Sequence, residues 1–85
     1  MKNLRKETIL VPAAGTVITM TYILCEDADG SYAIALENRT TGEKRAIPNI
    51  TSSLDKARDL FDRLVRGSVT TVTFRDVVED ALAAG

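Results

Sequence analysis

Residues 17–38, VITMTYILCEDADGSYAIALEN, decide the fold of this chain. Apolar side chains recur at every second position on both sides of the turn-forming residues 27–30, which predicts a hairpin of two half-buried strands. We expect a three-residue loop that ends with Gly30 in the left-handed conformation, because this length gathers the bulky side chains on one face. The cross-strand pairs that it predicts are Leu24 with Ile34 and Tyr22 with Leu36.

The segments on either side of this hairpin extend the sheet. A short apolar run at residues 8–11 predicts a strand whose register stays open, and residues 12–15 can reverse the chain after it. A second three-residue loop is expected at residues 40–42. Pro48 has no N–H for a strand ladder, so it stops the last strand or confines it to an edge. The second loop predicts the pairs Leu36 with Ala46, Glu37 with Arg45, and Arg39 with Glu43.

After residue 50 the apolar spacing changes to three and four residues, which predicts helices. Ser52 and Asp55 have the spacing of a capping box at the start of the first helix, and Gly67 is its expected end. Thr73 is expected to cap the second helix. The predicted buried stripes are Leu54, Ala57, Leu60, Phe61, Leu64 and Val65 in the first helix, and Phe74, Val77, Val78, Ala81 and Leu82 in the second.

The chain of 85 residues is expected to form a single α+β domain. We expect residues 1–6 to be flexible and residues 7–50 to form a three- to four-stranded antiparallel β-meander. Residues 52–83 should form two α-helices packed on one face of the sheet. Hydrophobic residues make up 45% and charged residues 27% of the chain, which is typical of folded rather than disordered proteins.

The composition argues against several functional classes. A net charge of −1 gives no general attraction to nucleic acid or to an anionic membrane. The uncharged run from Ile9 to Cys25 contains Pro12 and Gly15 and is shorter than the roughly 20 residues of a spanning helix. We therefore expect no membrane segment. With a single cysteine and no targeting segment, the expected location is the cytoplasm.

Residue types that carry chemistry are sparse. The chain has no histidine to act as a base for Cys25, so this cysteine is expected to be a strand residue rather than a nucleophile. The loop at residues 27–30 begins like a calcium loop, but Asn38 stands where a bidentate glutamate is needed. Glu79 and Asp80 are adjacent on a helix and diverge by about 100°, so they cannot act as an acid/base pair. We expect no catalytic residue, no metal site and no cofactor.

Three motifs of this chain resemble a known family. They are Tyr32-Ala33-Ile34, then Ile47-Pro48-Asn49-Ile50 before the first helix, then TFRDVVED at residues 73–80. In this order they are similar to a domain-of-unknown-function family of small proteins from Gram-positive, mostly clostridial, bacteria. The resemblance covers roughly residues 17–83, and similar sequences often have Gly in place of Ala33. It implies the fold and a bacterial origin and adds no catalytic residues.

The face of the sheet opposite the helices is the candidate functional surface. It carries small and β-branched side chains, with charge only at the margin of Glu37 and Arg45. Little desolvation of charge would oppose contact there, which suits an interface. The alternative is a neutral, threonine-rich exterior without a partner. The candidate interface residues are Thr19, Thr21, Ile23, Ala33 and Ala35.

The leading hypothesis for function is a non-enzymatic protein-interaction or regulatory module that binds an unidentified protein or a second copy of itself. The alternative is a small-ligand or nucleic-acid binding domain that uses the same sheet face. Nucleic acid would be favoured by arginine and aromatic side chains clustered on that face, and the sequence does not place them there. We expect Thr21 and Ala33 to be exposed, so that lysine at either position changes stability by no more than about 0.5 kcal/mol.

Overall fold

Four antiparallel strands lie side by side in chain order, and two helices follow them and pack on one face of the sheet. The computed structural model describes residues 2–84. The predicted α+β fold is confirmed, with four strands in the meander. The elements are β1 (Lys2–Ala13), β2 (Thr16–Glu26), β3 (Tyr32–Asn38), β4 (Lys44–Thr51), α1 (Leu54–Arg66) and α2 (Phe74–Ala84).

The core fills the space between the helices and the sheet. Phe61 of α1 is 0% exposed and Phe74 of α2 is 1% exposed. Beneath them lies Tyr22 of β2, whose hydroxyl donates a hydrogen bond of 2.7 Å to the carbonyl oxygen of Val69 in the α1–α2 connection. Burial raises the pKa of Tyr22 to about 12. Leu82 departs from the predicted stripe of α2, because it is 47% exposed at the end of that helix.

The β2–β3 hairpin has the predicted register. Asp27 donates its N–H to the carbonyl oxygen of Ser31 at 2.9 Å, which leaves a three-residue loop at 28–30. Gly30 has a φ of 86°, a left-handed conformation that glycine adopts without strain. The predicted pairs Leu24 with Ile34 and Tyr22 with Leu36 are confirmed.

The β3–β4 hairpin differs from the prediction by one residue. Asn38 donates its N–H to the carbonyl oxygen of Glu43 at 2.8 Å, so the loop has four residues, 39–42. The side-chain oxygen of Asn38 stabilises this longer loop by accepting hydrogen bonds from the N–H groups of Thr40 at 3.0 Å and Thr41 at 3.2 Å. The three pairs predicted for this hairpin are therefore wrong. The observed pairs are Leu36 with Arg45, Glu37 with Lys44, and Ala35 with Ala46.

Pro48 lies inside β4, at the edge of the sheet, which is one of the two placements expected for it. The next residue, Asn49, has a φ of 54°, and the pairing register shifts between Tyr32 and Ile34 on the neighbouring strand. A bulge therefore interrupts β4 at this point. After it, the side chain of Ile50 joins the core and is 7% exposed.

β1 is longer than the sequence pattern predicts. It begins at Lys2, so residues 2–6, expected outside the meander, are part of the sheet, and Met1 lies outside the described residues. The register that was open is now defined, with Ile9 opposite Met20 and Val11 opposite Ile18. A two-residue turn follows, within the segment expected to reverse the chain.

Arg5 explains why the beginning of β1 is held in place. Its guanidinium donates a hydrogen bond of 2.9 Å to the carboxylate of Asp62 on α1 and lies 5.0 Å from the centre of the Phe61 ring. A second nitrogen lies 3.3 Å from the carboxylate of Glu7. The two carboxylates raise the pKa of Arg5, with the hydrogen bond to Asp62 as the largest cause. These contacts tie the first strand to the first helix.

The helix boundaries agree with the prediction to within one residue. The N-cap of α1 is Ser53 rather than Ser52, and its side-chain oxygen accepts a hydrogen bond from the N–H of Lys56 at 3.4 Å. The helix ends at Gly67 as expected. α2 begins directly after Thr73, whose carbonyl oxygen accepts a hydrogen bond of 3.0 Å from the N–H of Val77.

Candidate interaction surface

The open face is the side of the sheet that points away from α1 and α2. Its members follow from the register, because opposite residues on antiparallel strands point to the same side and successive residues alternate. Tyr22 and Leu24 belong to the core, so the residues between and beside them point outward. The open face comprises Asn3, Lys6, Thr8, Leu10 and Pro12 of β1; Val17, Thr19, Thr21, Ile23 and Cys25 of β2; Ala33, Ala35 and Glu37 of β3; and Lys44 and Ala46 of β4.

All five candidate interface residues lie on the open face, but they differ in exposure. Thr19, Ile23 and Ala35 are half-buried. Thr21 is 0% exposed and Ala33 is 5% exposed, so the expectation that these two positions are exposed is wrong. Burial of both side chains argues that lysine would destabilise the fold there. Both are short side chains on the two interior strands, each of which has a paired strand on either side.

Thr21 is also held by a specific contact. Its hydroxyl lies 3.0 Å from the hydroxyl of Thr8, directly opposite on β1, so the two groups share a hydrogen bond. Glu37 is the corresponding neighbour on β3. The centre of the open face is therefore a packed, hydrogen-bonded layer rather than a row of free side chains.

An apolar corner lies at one end of the open face, and it consists of Leu10, Pro12, Val17 and Thr19. Leu10 is 70% exposed and Val17 is 54% exposed, the former on β1 and the latter on β2. Pro12 lies opposite Val17, and Thr19 lies opposite Leu10. The sequence pattern did not assign Leu10 to this face because the register of residues 8–11 could not be determined from it.

The opposite margin of the open face carries charges of both signs. The carboxylate of Glu37 lies 3.5 Å from a guanidinium nitrogen of Arg39 and 3.6 Å from the ammonium nitrogen of Lys44. Beside it is a shallow depression of about 380 Å³ whose lining includes Ile23 and Ala35. Paired charges of opposite sign do not form the basic track that a phosphate backbone needs.

A second concavity lies on the other side of the molecule, where the end of β4 meets α1 and α2. Its volume is about 350 Å³, near the lower end of the range of small-molecule sites, about 300–1,000 Å³. The lining residues are Ile50, Thr51, Lys56, Asp59, Leu60, Arg63, Ala81 and Leu82. The groove thus combines an apolar lining with charges of both signs.

Cys25 lies on the open face but is only 4% exposed. Its Sγ donates to the side-chain oxygen of Asn3 at 3.4 Å. Burial raises the pKa of the thiol, and the negative charge of Asp27 acts in the same direction. The thiolate, which is the reactive form, is therefore disfavoured.

The acidic loop that begins like a calcium site stabilises its own turn. The carboxylate of Asp29 accepts hydrogen bonds from the hydroxyl of Ser31 at 2.7 Å and from its N–H at 3.0 Å. These bonds lower the pKa of Asp29. Within residues 2–84, no group of three or more His, Cys, Asp or Glu side chains is placed to hold a metal ion, and no helix is long and apolar enough to cross a membrane.

The fold and its surface define a class of protein: a small α+β domain with a four-stranded meander, two helices on one side and an open sheet face of low charge. A family model described as a family of unknown function, DUF6514, matches residues 1–84. The chain therefore belongs to this family. No curated protein and no solved structure gives a significant match.

Proposed function

We propose that this domain is a non-enzymatic interaction or regulatory module that binds a protein partner through its open face. The observation that carries the proposal is the apolar corner, where Leu10 is 70% and Val17 is 54% exposed. Removing such surface from water is favourable by about 25 cal/mol per Å². None of the four residues of this corner is charged, and the neighbouring Arg39 is paired with Glu37, so contact at the corner would remove little charge from water.

The packing of the open face supports the same role. The hydrogen bond between Thr8 and Thr21 and the burial of Ala33 hold the centre of the face in one arrangement. A surface that is already ordered loses little conformational entropy when it binds. The partner surface that fits is flat, weakly charged and apolar at the position that meets Leu10 and Val17.

The test compares two matched substitutions in affinity capture from cells of the source organism. Val17→Lys places a charge in the apolar corner, and Val72→Lys makes the same change at a valine that is 83% exposed outside the sheet. Both positions are exposed, so thermal melts should change little. A partner retained by wild type and by Val72→Lys, and lost by Val17→Lys, supports the proposal. Equal recovery by all three proteins contradicts it.

The depression beside Glu37 favours a second candidate function, the binding of a small ligand on the same open face. Its volume of about 380 Å³ could take a small molecule, and Ile23 and Ala35 supply apolar contact. A fragment screen by amide chemical shifts tests this idea. Shifts clustered at Ile23, Ala35 and Ala46 would support it, and shifts confined to the helix side would contradict it.

The setting that we propose for this module is the cytoplasm of a Gram-positive bacterium. The resemblance of the three sequence motifs supports the bacterial origin. The single cysteine supports a reducing compartment, because it has no second cysteine in the chain with which to form a disulfide.

A further inference from the structure

The sheet has two outer strands, β1 and β4, and their free edges differ. β4 is interrupted by Pro48, which cannot donate an N–H, and by the bulge at Asn49. β1 runs for 12 residues, and its register is regular from Arg5 to Ala13. A long regular edge presents unpaired N–H and C=O groups to another strand. The edge of β1 is therefore the one suited to strand pairing.

The backbone groups that β1 leaves free can be identified from the neighbouring turn. Ala14 and Gly15 have φ values of 47° and 80°, the two-residue turn of a tight hairpin, so Ala13 and Thr16 form a hydrogen-bonded pair. Hydrogen-bonded and non-hydrogen-bonded pairs alternate from there. The backbone N–H and C=O groups of the even-numbered residues Lys6, Thr8 and Leu10 consequently point away from β2, towards the free edge of the sheet.

The hydrogen bonds of Thr19, which lies opposite Leu10, agree with this assignment. Its carbonyl oxygen accepts the N–H of Arg39 at 2.8 Å, and its N–H donates to the hydroxyl of Thr40 at 3.0 Å. The N–H and C=O groups of Thr19 both point away from β1. The N–H and C=O groups of Leu10 therefore have no hydrogen-bond partner on β2. Pro12 is also one of the residues whose backbone groups face the free edge, so its missing N–H interrupts no hydrogen bond within the sheet.

The charges of β1 limit the registers in which it can pair with a second copy of itself. All four charged residues lie in its first half, at positions 2, 5, 6 and 7, and residues 8–13 carry none. Antiparallel pairing with a second copy centred on Lys6 or Glu7 would place that residue against its own copy, which is unfavourable for like charges. Pairing centred on Ile9 instead places the charged half of each strand opposite the uncharged half of the other.

We propose that the edge of β1 pairs antiparallel with β1 of a second copy of this chain, across a two-fold axis at Ile9. Thr8 then lies opposite Leu10 of the second copy, and Lys6 lies opposite its Pro12. About six backbone hydrogen bonds form, because the N–H of Pro12 is missing on each side. One sheet runs through both copies, with all helices on the same side. This contact is made by the backbone edge of β1, whereas the partner proposed for the open face contacts side chains, so the two proposals can be tested separately.

The first experiment measures the oligomeric state by sedimentation velocity up to millimolar concentration. Wild type should show a concentration-dependent dimer. Leu10→Pro removes an outward N–H from each copy while keeping an apolar side chain, and it should weaken dimerisation about ten- to a hundredfold. Val17→Lys should leave dimerisation unchanged. A monomer at all concentrations, or a dimer that is lost in Val17→Lys and kept in Leu10→Pro, overturns the edge pairing.

The second experiment tests the register by disulfide formation in a Cys25→Ala background. The two-fold axis brings the Cα atoms of the two Ile9 residues to about 4.5 Å, within disulfide range. The two Val11 residues are offset by about 13 Å along the strand. Oxidation should therefore cross-link Ile9→Cys and leave Val11→Cys monomeric on a non-reducing gel. Cross-linking of Val11→Cys in preference to Ile9→Cys overturns the proposal.

Discussion

Replacing Tyr22 by phenylalanine should change how the stability of this domain depends on alkaline pH. The Tyr22 hydroxyl is buried and donates to the carbonyl oxygen of Val69 at 2.7 Å. Burial raises its pKa to about 12, compared with about 10 for a tyrosine in an unfolded chain. The folded protein therefore holds the phenolic proton more tightly than the unfolded chain does.

The size of the effect follows from that difference. The stabilisation from protonated Tyr22 is fully present below pH 10 and is lost as the pH rises through 12. The difference of about two units between the folded and unfolded pKa values of Tyr22 sets an upper limit of about 2.7 kcal/mol on the stability lost at high pH. We expect a measured loss of about 1–2 kcal/mol, because local relaxation around a charged group reduces such values. Near neutral pH, Tyr22→Phe should cost about 0.5–1.5 kcal/mol through the missing hydrogen bond.

The assay is urea unfolding followed by circular dichroism, since the chain contains no tryptophan for fluorescence. The free energy of unfolding of wild type and Tyr22→Phe should differ at pH 7 and converge between pH 10 and 12. Cys25 is present in both proteins, so its ionisation cancels in the difference. Tyr32→Phe, at the other tyrosine, is the matched control and should keep the wild-type alkaline decline. Parallel curves for wild type and Tyr22→Phe over this range would refute the reasoning.

Three further experiments test the core, the open face and the strand–helix contact. Phe61→Ala should lower the free energy of unfolding by about 3–5 kcal/mol, which is close to the whole stability of a domain this small. NMR amide spectra of this variant that stay fully dispersed would show that α1 packs differently. Thr21→Lys should lower the free energy of unfolding by about 1–3 kcal/mol because the site is 0% exposed. Val17→Lys should change it by less than about 0.5 kcal/mol, and equal melting of the two variants would contradict the burial of Thr21. A double-mutant cycle between Arg5 and Asp62 should give a coupling of up to about 1 kcal/mol that declines in salt, and a coupling of zero at low salt would show that the ion pair contributes nothing.

The two hairpins show where sequence reasoning succeeds and where it fails. In the first, the alternation of bulky side chains and the position of Gly30 agree on one loop length. In the second, loop length depends on the side chain of Asn38, which accepts two backbone N–H groups. A pattern signal was present, since the observed register places Ile47 opposite Ile34 on the core side. The criterion used for the first hairpin, that bulky side chains share one face, selects the observed four-residue loop when it is applied to Ile34 and Ile47.

The sequence predicts which face of the sheet the candidate residues lie on, but it does not predict how exposed their side chains are. Alternation correctly places Thr21 and Ala33 on the open face. Exposure depends on how far neighbouring side chains reach over each position, and for Thr21 this needs the register of β1. Leu10 was missed for the same reason. The place of residues 2–6 in the sheet was also out of reach, since the partner of Arg5 on α1 lies 57 positions along the chain.

The Arg5–Asp62 contact has a consequence for the order in which this chain folds. Every neighbouring pair of strands is consecutive in sequence and joined by a short turn, so loop closure costs little entropy and the hairpins should form early. The contact between β1 and α1 spans most of the chain and must wait until both elements exist. Mutations at Arg5 should therefore accelerate unfolding and leave the refolding rate nearly unchanged, the kinetic signature of a contact made after the transition state.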